Sequence, residues 1–141
     1  VGASTVVNQY GGKLPSEASE LSKIKGLGPY TVGAIQSFAF RMKAAAVDGN
    51  VIRVLARYFN LEDDFSKIKA VKKIWEVAEK ILPEKESWIF TEALIELGAT
   101  ICTKKPKCME CPLKRSCQGY IQGNSEELPY KSNKIKIEKI P

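Results

Sequence analysis

Four cysteines fall within sixteen residues, Cys102-x5-Cys108-x2-Cys111-x5-Cys117, and the 141-residue chain has no other cysteine and no histidine. A Cys-x2-Cys pair brings two thiolates to one centre from a single tight turn, and Pro106 and Pro112 help to hold the loop open. No signal peptide is visible, so reduced thiols are expected and ligation is favoured over a pair of disulfides. Spacing alone admits two occupants: an iron–sulfur cluster, or a structural zinc ion bound by the same four thiolates. Near these sulfurs Lys104, Lys105, Lys107, Lys114 and Arg115 oppose only Glu110. Such a loop offsets thiolate charge, and it can equally face a phosphate backbone or simply be a solvated surface.

Two further stretches carry chemistry. In Ile24-Lys25-Gly26-Leu27-Gly28-Pro29-Tyr30-Thr31 a Gly-x-Gly turn precedes Pro29, a residue suited to the first position of a helix. Gly26 and Gly28 carry no side chain to block a close backbone approach, and both are expected at positive φ. Main-chain N–H groups at the following helix start can hold one phosphate, which positions a duplex without reading it. In Val47-Asp48-Gly49-Asn50-Val51, Asp48 or Asn50 is suited to cap a helix. A capped carboxylate is also ionised and aimed, as needed to stabilise an oxocarbenium-like sugar when an N-glycosidic bond breaks.

The elements that must position these groups are helical almost throughout. A helix ending near Asn8 is stopped by Gly11-Gly12. Ser16 is expected to cap a short helix with Glu17 and Glu20 in its first turn. Pro29 opens a helix to about Phe40, and the Asp48 helix runs to about Phe59. Ile68, Val71, Ile74, Trp75, Ala78, Ile81 and Leu82 recur at three- and four-residue spacing before Pro83. A last helix, roughly Lys85 to Leu97, is expected to close at Gly98. A strand is expected only in the tail, at Ile135 and Ile137. The chain carries net charge +6 and 44% hydrophobic residues, and no apolar run approaches the length of a membrane span. The fold class is all-α.

Taken in order, Gly26-Leu27-Gly28-Pro29-Tyr30-Thr31-Val32-Gly33-Ala34-Ile35, Val47-Asp48-Gly49-Asn50-Val51, Glu92-Ala93-Leu94-Ile95-Glu96-Leu97-Gly98-Ala99 and the cysteine loop resemble the helix-hairpin-helix DNA glycosylases. The resemblance covers essentially the whole chain and is greatest to the adenine glycosylases of the MutY type. It implies a partial helix-hairpin-helix glycosylase fold with a C-terminal iron–sulfur loop, in which Cys102, Cys108, Cys111 and Cys117 hold a [4Fe–4S] cluster. It further implies that Gly26, Leu27, Gly28, Tyr30 and Thr31 bind DNA, and that Asp48, with Tyr30 beside the reacting sugar, is catalytic. The implied reaction is hydrolysis of the N-glycosidic bond of adenine mispaired with 8-oxoguanine or guanine, in base-excision repair. The implied partner is double-stranded DNA carrying that mispair, bound by a monomer in a bacterial cytoplasm, with no membrane.

The position two residues after the second hairpin glycine separates related chemistries. Strand-cleaving relatives that resemble endonuclease III carry a lysine there, whereas this chain has Tyr30, which has no amine to form a Schiff base. Those relatives also read Val-Asp-Thr-His-Val at the second loop, against Asp48-Gly49-Asn50 here. Both departures point to a monofunctional glycosylase. The first cysteine gap is five residues where the family usually has six. No residue matches the family's general-acid glutamate, which would precede Val1. The division expected is 1–98 as the helical glycosylase region, 99–120 as the cluster loop and 121–141 as a linker. Both ends are expected to continue into a larger protein, with this portion inactive alone. The alternatives are a four-cysteine zinc module that binds nucleic acid, and an endonuclease III-type lyase.

Overall fold

The computed structural model describes residues 2–132. Val1 and residues 133–141, with the strand entry expected at Ile135 and Ile137, lie outside the described residues. Among those described there is no strand, only an isolated bridge between Asp64 and Tyr130, so the all-α class holds. The chain forms two compact units. One runs to Ala46 and includes Ile81–Thr91; the other comprises Val47–Lys80 and the described residues from Glu92 onward.

In the first unit, α1 (Gly2–Tyr10) ends where Gly11 and Gly12 take φ of 61° and 83°, left-handed values that only glycine adopts freely. The short α2 is Ala18–Leu21. Its N-cap is Glu17, which makes no side-chain cap bond, rather than Ser16. The Ser16 carbonyl is instead engaged by Gln36, whose Nε2 donates to it at 3.0 Å. Pro29 is the first residue of α3 (Pro29–Ala34), which continues through a π-helical stretch, Ile35–Ala39. Leu21, Ile24 and Val32 form the core here, with Val6, Tyr10, Leu27 and Ile35 packed against them. Leu21 on α2 and Val32 on α3 thereby clamp the turn between them, and burying three such side chains is worth about 1.5–3 kcal/mol apiece. Gly33 lets α3 lie on the following segment, because a Cβ there would come 2.1 Å from the Ala45 carbonyl oxygen.

In the second unit, α4 (Gly49–Tyr58) buries Val51, Val54 and Leu55, which recur at the spacing of one helical face. α5 is Ile68–Ile81, stopping just short of Pro83 as a helix must. α6 runs from Ser87 to Thr100, with its residues from Glu92 onward in this unit, so it starts later and ends later than the sequence suggests. Glu86, at φ 54°, blocks an earlier start. Gly98 does not close α6 but lies inside it, for a packing reason. A Cβ at that point would come 2.8 Å from the Asn50 Cβ and 2.9 Å from its carbonyl oxygen. The about 1 kcal/mol that glycine costs a helix interior is thus the condition for α6 to touch the start of α4.

A polar buckle secures the segment around Tyr130. The Ser132 and Ser66 hydroxyls donate to the Asp64 carboxylate, joined by Ser66 N–H at 3.0 Å and Ser132 N–H at 3.1 Å. Phe65 N–H donates to the Tyr130 carbonyl at 2.8 Å. The bonds from Ser132 and then Ser66 hold the Asp64 carboxyl well below the usual carboxylate range. A carboxyl whose folded value is depressed stabilises the fold above its unfolded value of about 3.9, and loses that contribution as pH falls below it. Asp64→Asn is therefore expected to lower the thermal midpoint at neutral pH, and the gap to the wild type should close as pH drops below about 4. A gap that stayed constant down to low pH would remove the buckle from the stability of the chain.

Candidate functional site

Asp48 is the N-cap of α4, in an extended conformation that turns its carboxylate back over the first turn. Val51 N–H donates to Asp48 Oδ1 at 2.8 Å, and Asn50 Nδ2 donates to Oδ2 at 3.3 Å. Both bonds fix the direction of the carboxylate. Asn50 passes the constraint on, since its Oδ1 accepts from the Arg53 guanidinium at 2.9 Å. Arg53 Nε then donates to the Cys102 carbonyl at 2.6 Å, and the same guanidinium reaches the Gly98 carbonyl. An unbroken hydrogen-bonded path therefore joins the Asp48 carboxylate to the peptide of the first cysteine.

The cysteine loop is built on Arg57, 2% exposed, one turn further along α4. Its Nε donates to the Leu128 carbonyl at 2.9 Å, its other nitrogens to the Thr103 and Lys104 carbonyls, and one of these also lies 3.4 Å from Cys102 Sγ. No carboxylate pairs with Arg57 among the described residues. Lys107 N–H closes the shortened first gap by donating to the Ile101 carbonyl at 2.9 Å. Leu113 N–H lies 3.4 Å from Cys111 Sγ, and Cys117 begins the short α7 (Gln118–Gln122) as its N-cap.

All four cysteines are free thiols and all four line one cavity of about 30 Å³, together with Arg57 and Ser125. A single water needs roughly 10–15 Å³ on the same measure, so the space is larger than one small guest. Yet no three cysteine or acidic side chains among the described residues are placed so as to hold one metal ion. A tetrahedral zinc with Zn–S bonds of about 2.3 Å would draw its sulfurs within about 4 Å of one another. Here four cysteines line one cavity, the donor set that either a zinc ion or an iron–sulfur cluster takes. Burial pushes the Cys108 thiol up, and the sulfurs of Cys102, Cys117 and Cys111 push the same way. The residues fit a [4Fe–4S] group. Outside the cavity Lys104, Lys105, Lys107 and Arg115 are exposed.

The hairpin belongs to the other unit and is described by itself. Leu27 N–H donates to the Ile24 carbonyl, and Val32 N–H to the Gly28 carbonyl. Gly26 has φ 98°, as expected. Gly28 does not take positive φ: at −85° and 177° it is the extended N-cap of α3, the conformation that lets Pro29 follow as the first helical residue. A Cβ at either glycine would meet nothing within 4 Å, so the space above the turn is open. Tyr30 and Thr31 are half-buried in the first turn of α3, where N–H groups have no partner within the helix.

Asp48 and the four cysteines thus share one unit, linked through α4, while Gly26, Leu27, Gly28, Tyr30 and Thr31 lie in the other. Sequence reading missed Arg53, Arg57 and Ser125 and misjudged Gly98. Arg57 had a signal, a charge directly after Val54-Leu55-Ala56 on a face that must be buried.

No family model matches the chain. The adenine DNA glycosylase of Buchnera aphidicola subsp. Baizongia pistaciae is 37% identical over 136 residues, covering 96% of this chain and 38% of that protein. Adenine DNA glycosylases from other sources match at 35% to 41% identity. A solved thermostable thymine-DNA glycosylase superposes with a TM-score of 0.76 and 34% identity, over 84% of this chain and 55% of that one. An endonuclease III–DNA complex gives 0.69 and 27%, over 85% and 55%. The chain spans between 17% and 38% of the length of the first three curated relatives it matches.

Proposed function

In sequence and fold this chain belongs to the helix-hairpin-helix DNA glycosylases, and we propose that the protein carrying it excises adenine mispaired with 8-oxoguanine or guanine. The observation that carries the proposal is the path from the Asp48 carboxylate through Asn50 and Arg53 to the four-cysteine loop. It ties a carboxylate suited to a cationic sugar to a loop suited to a cluster and to phosphates. The identity to named adenine glycosylases supports adenine as the base removed.

In this reading Gly26, Leu27, Gly28, Tyr30 and Thr31 receive a phosphate of double-stranded DNA through main-chain N–H groups at the start of α3. Adenine is swung out of the stack, as chemistry on a base in a duplex requires. As the N-glycosidic bond lengthens, positive charge grows on the sugar, and Asp48 stabilises it through space. Its capping bonds hold it in place, so no reorganisation is needed when the charge appears. Water completes the displacement, and Tyr30 lies beside the reacting sugar. Cys102, Cys108, Cys111 and Cys117 would hold the [4Fe–4S] group. That group's contribution is charge and shape for the exposed basic loop. The protein acts as a monomer in the cytoplasm, and no helix among the described residues is long and apolar enough to cross a membrane.

Tyr30 separates this reading from that of a lyase. With no amine at that position, borohydride added during turnover on a mispaired duplex should yield no covalent protein–DNA adduct while free adenine is still released. An adduct retained at Tyr30→Phe would reassign the protein to the lyases. Adenine left in place on a mispaired duplex by the complete protein would remove the proposed specificity.

A further inference from the structure

Ser125 opens the last 3₁₀ turn, Ser125–Glu127, and is 8% exposed. Its hydroxyl is one of four buried polar side-chain atoms with no hydrogen-bond partner among the described residues. Of these four, it alone lines the cavity ringed by the cysteine sulfurs. A buried hydroxyl left unpaired costs about 1–3 kcal/mol, so a fold keeps one only where something else receives it. Backbone packing holds it in place: a Cβ at Gly119 would come 3.0 Å from Ser125 Oγ and 2.6 Å from the Arg57 carbonyl oxygen. Ser125 and Cys108 line the same cavity side by side. The hydroxyl is therefore a buried donor without a partner at the cavity that the four cysteines line.

We propose that Ser125 donates a hydrogen bond to the sulfur face of the group held by the four cysteines, and so sets its reduction potential. This rests on the reading of the cavity as a [4Fe–4S] site. Reduction adds negative charge to the sulfurs, and a donor aimed at them favours the reduced form. Arg57 supplies fixed positive charge at the same cavity, whereas Ser125 supplies direction and can be changed without removing a buried charge. Ser125 is a positioning and tuning residue, not a ligand.

The test compares the wild-type holoprotein with Ser125→Ala and Ser125→Thr, reading iron per chain, the midpoint potential, and the Fe–S stretching bands in H₂O and D₂O. Ser125→Ala should keep its iron, and its reduced-to-oxidised ratio at the wild-type midpoint should fall about tenfold, equivalent to about 59 mV for one electron. It should also lose a D₂O-sensitive shift of the Fe–S bands, and Ser125→Thr, which keeps the hydroxyl, should retain both. If Ser125→Ala sheds its iron, retention by Ser125→Thr would still assign the effect to the hydroxyl. Full iron with an unchanged midpoint and an unchanged D₂O shift in Ser125→Ala would overturn the inference and leave the cluster reading standing. Zinc without iron in the wild type would overturn both.

Discussion

Asp48→Asn in the complete protein is expected to lower single-turnover excision of adenine by roughly 10²–10³-fold or more, the scale on which losing one preorganised electrostatic partner acts. The substitution is informative because asparagine caps a helix about as well as aspartate does. Val51 N–H can still find a side-chain oxygen, so α4 should stay intact and the thermal midpoint should move little. What the proposed mechanism loses is the negative charge that stabilises a cationic sugar. A large fall in excision with an unchanged midpoint and unchanged iron content would separate chemistry from architecture. Excision at the wild-type rate would leave Asp48 as a cap and nothing more.

Arg57→Met should produce the second large effect, on the fold and the cofactor together. Arginine places donors on the carbonyls of Leu128, Thr103 and Lys104 and lies against Cys102 Sγ, all from a buried position. Methionine fills part of the volume but donates nothing. The bond to the Leu128 carbonyl is buried and the other two are part-buried, so losing the first costs about 1–3 kcal/mol and the others less. We expect iron per chain to fall well below the wild-type value and the thermal midpoint to drop by several degrees. Lysine keeps the charge but not the planar fork, so Arg57→Lys should fall between the two. Wild-type iron and an unchanged midpoint in Arg57→Met would show that the loop is held by other contacts.

Much of this arrangement is legible in the chain because local rules and packing agree there. Asp48 is a cap by residue type, and the structure gives it the N–H of Val51. Pro29 marks a helix start, and α3 begins on it. Gly11-Gly12 stop α1 with the left-handed geometry that glycine permits. The expectation fails where a residue answers to a distant neighbour. Gly98 resembles a helix terminator in isolation, but its role is set by Asn50, forty-eight positions away in sequence. Gly28 resembles Gly26, yet one is extended and the other left-handed, because Pro29 constrains only its immediate predecessor. Ser125 is invisible as a functional residue until the fold brings it, with Arg57, to the cysteine cavity. Cysteine spacing leaves zinc and iron open.

That choice is open to one chemical analysis. Iron, acid-labile sulfide and zinc should be counted per chain on protein purified without oxygen, alongside its visible absorption. About four irons and four sulfides with a broad visible band are expected, and would show that the five-residue first gap still closes on a cluster. One zinc and no iron would contradict the assignment of the cysteine cavity and favour a zinc module that binds nucleic acid.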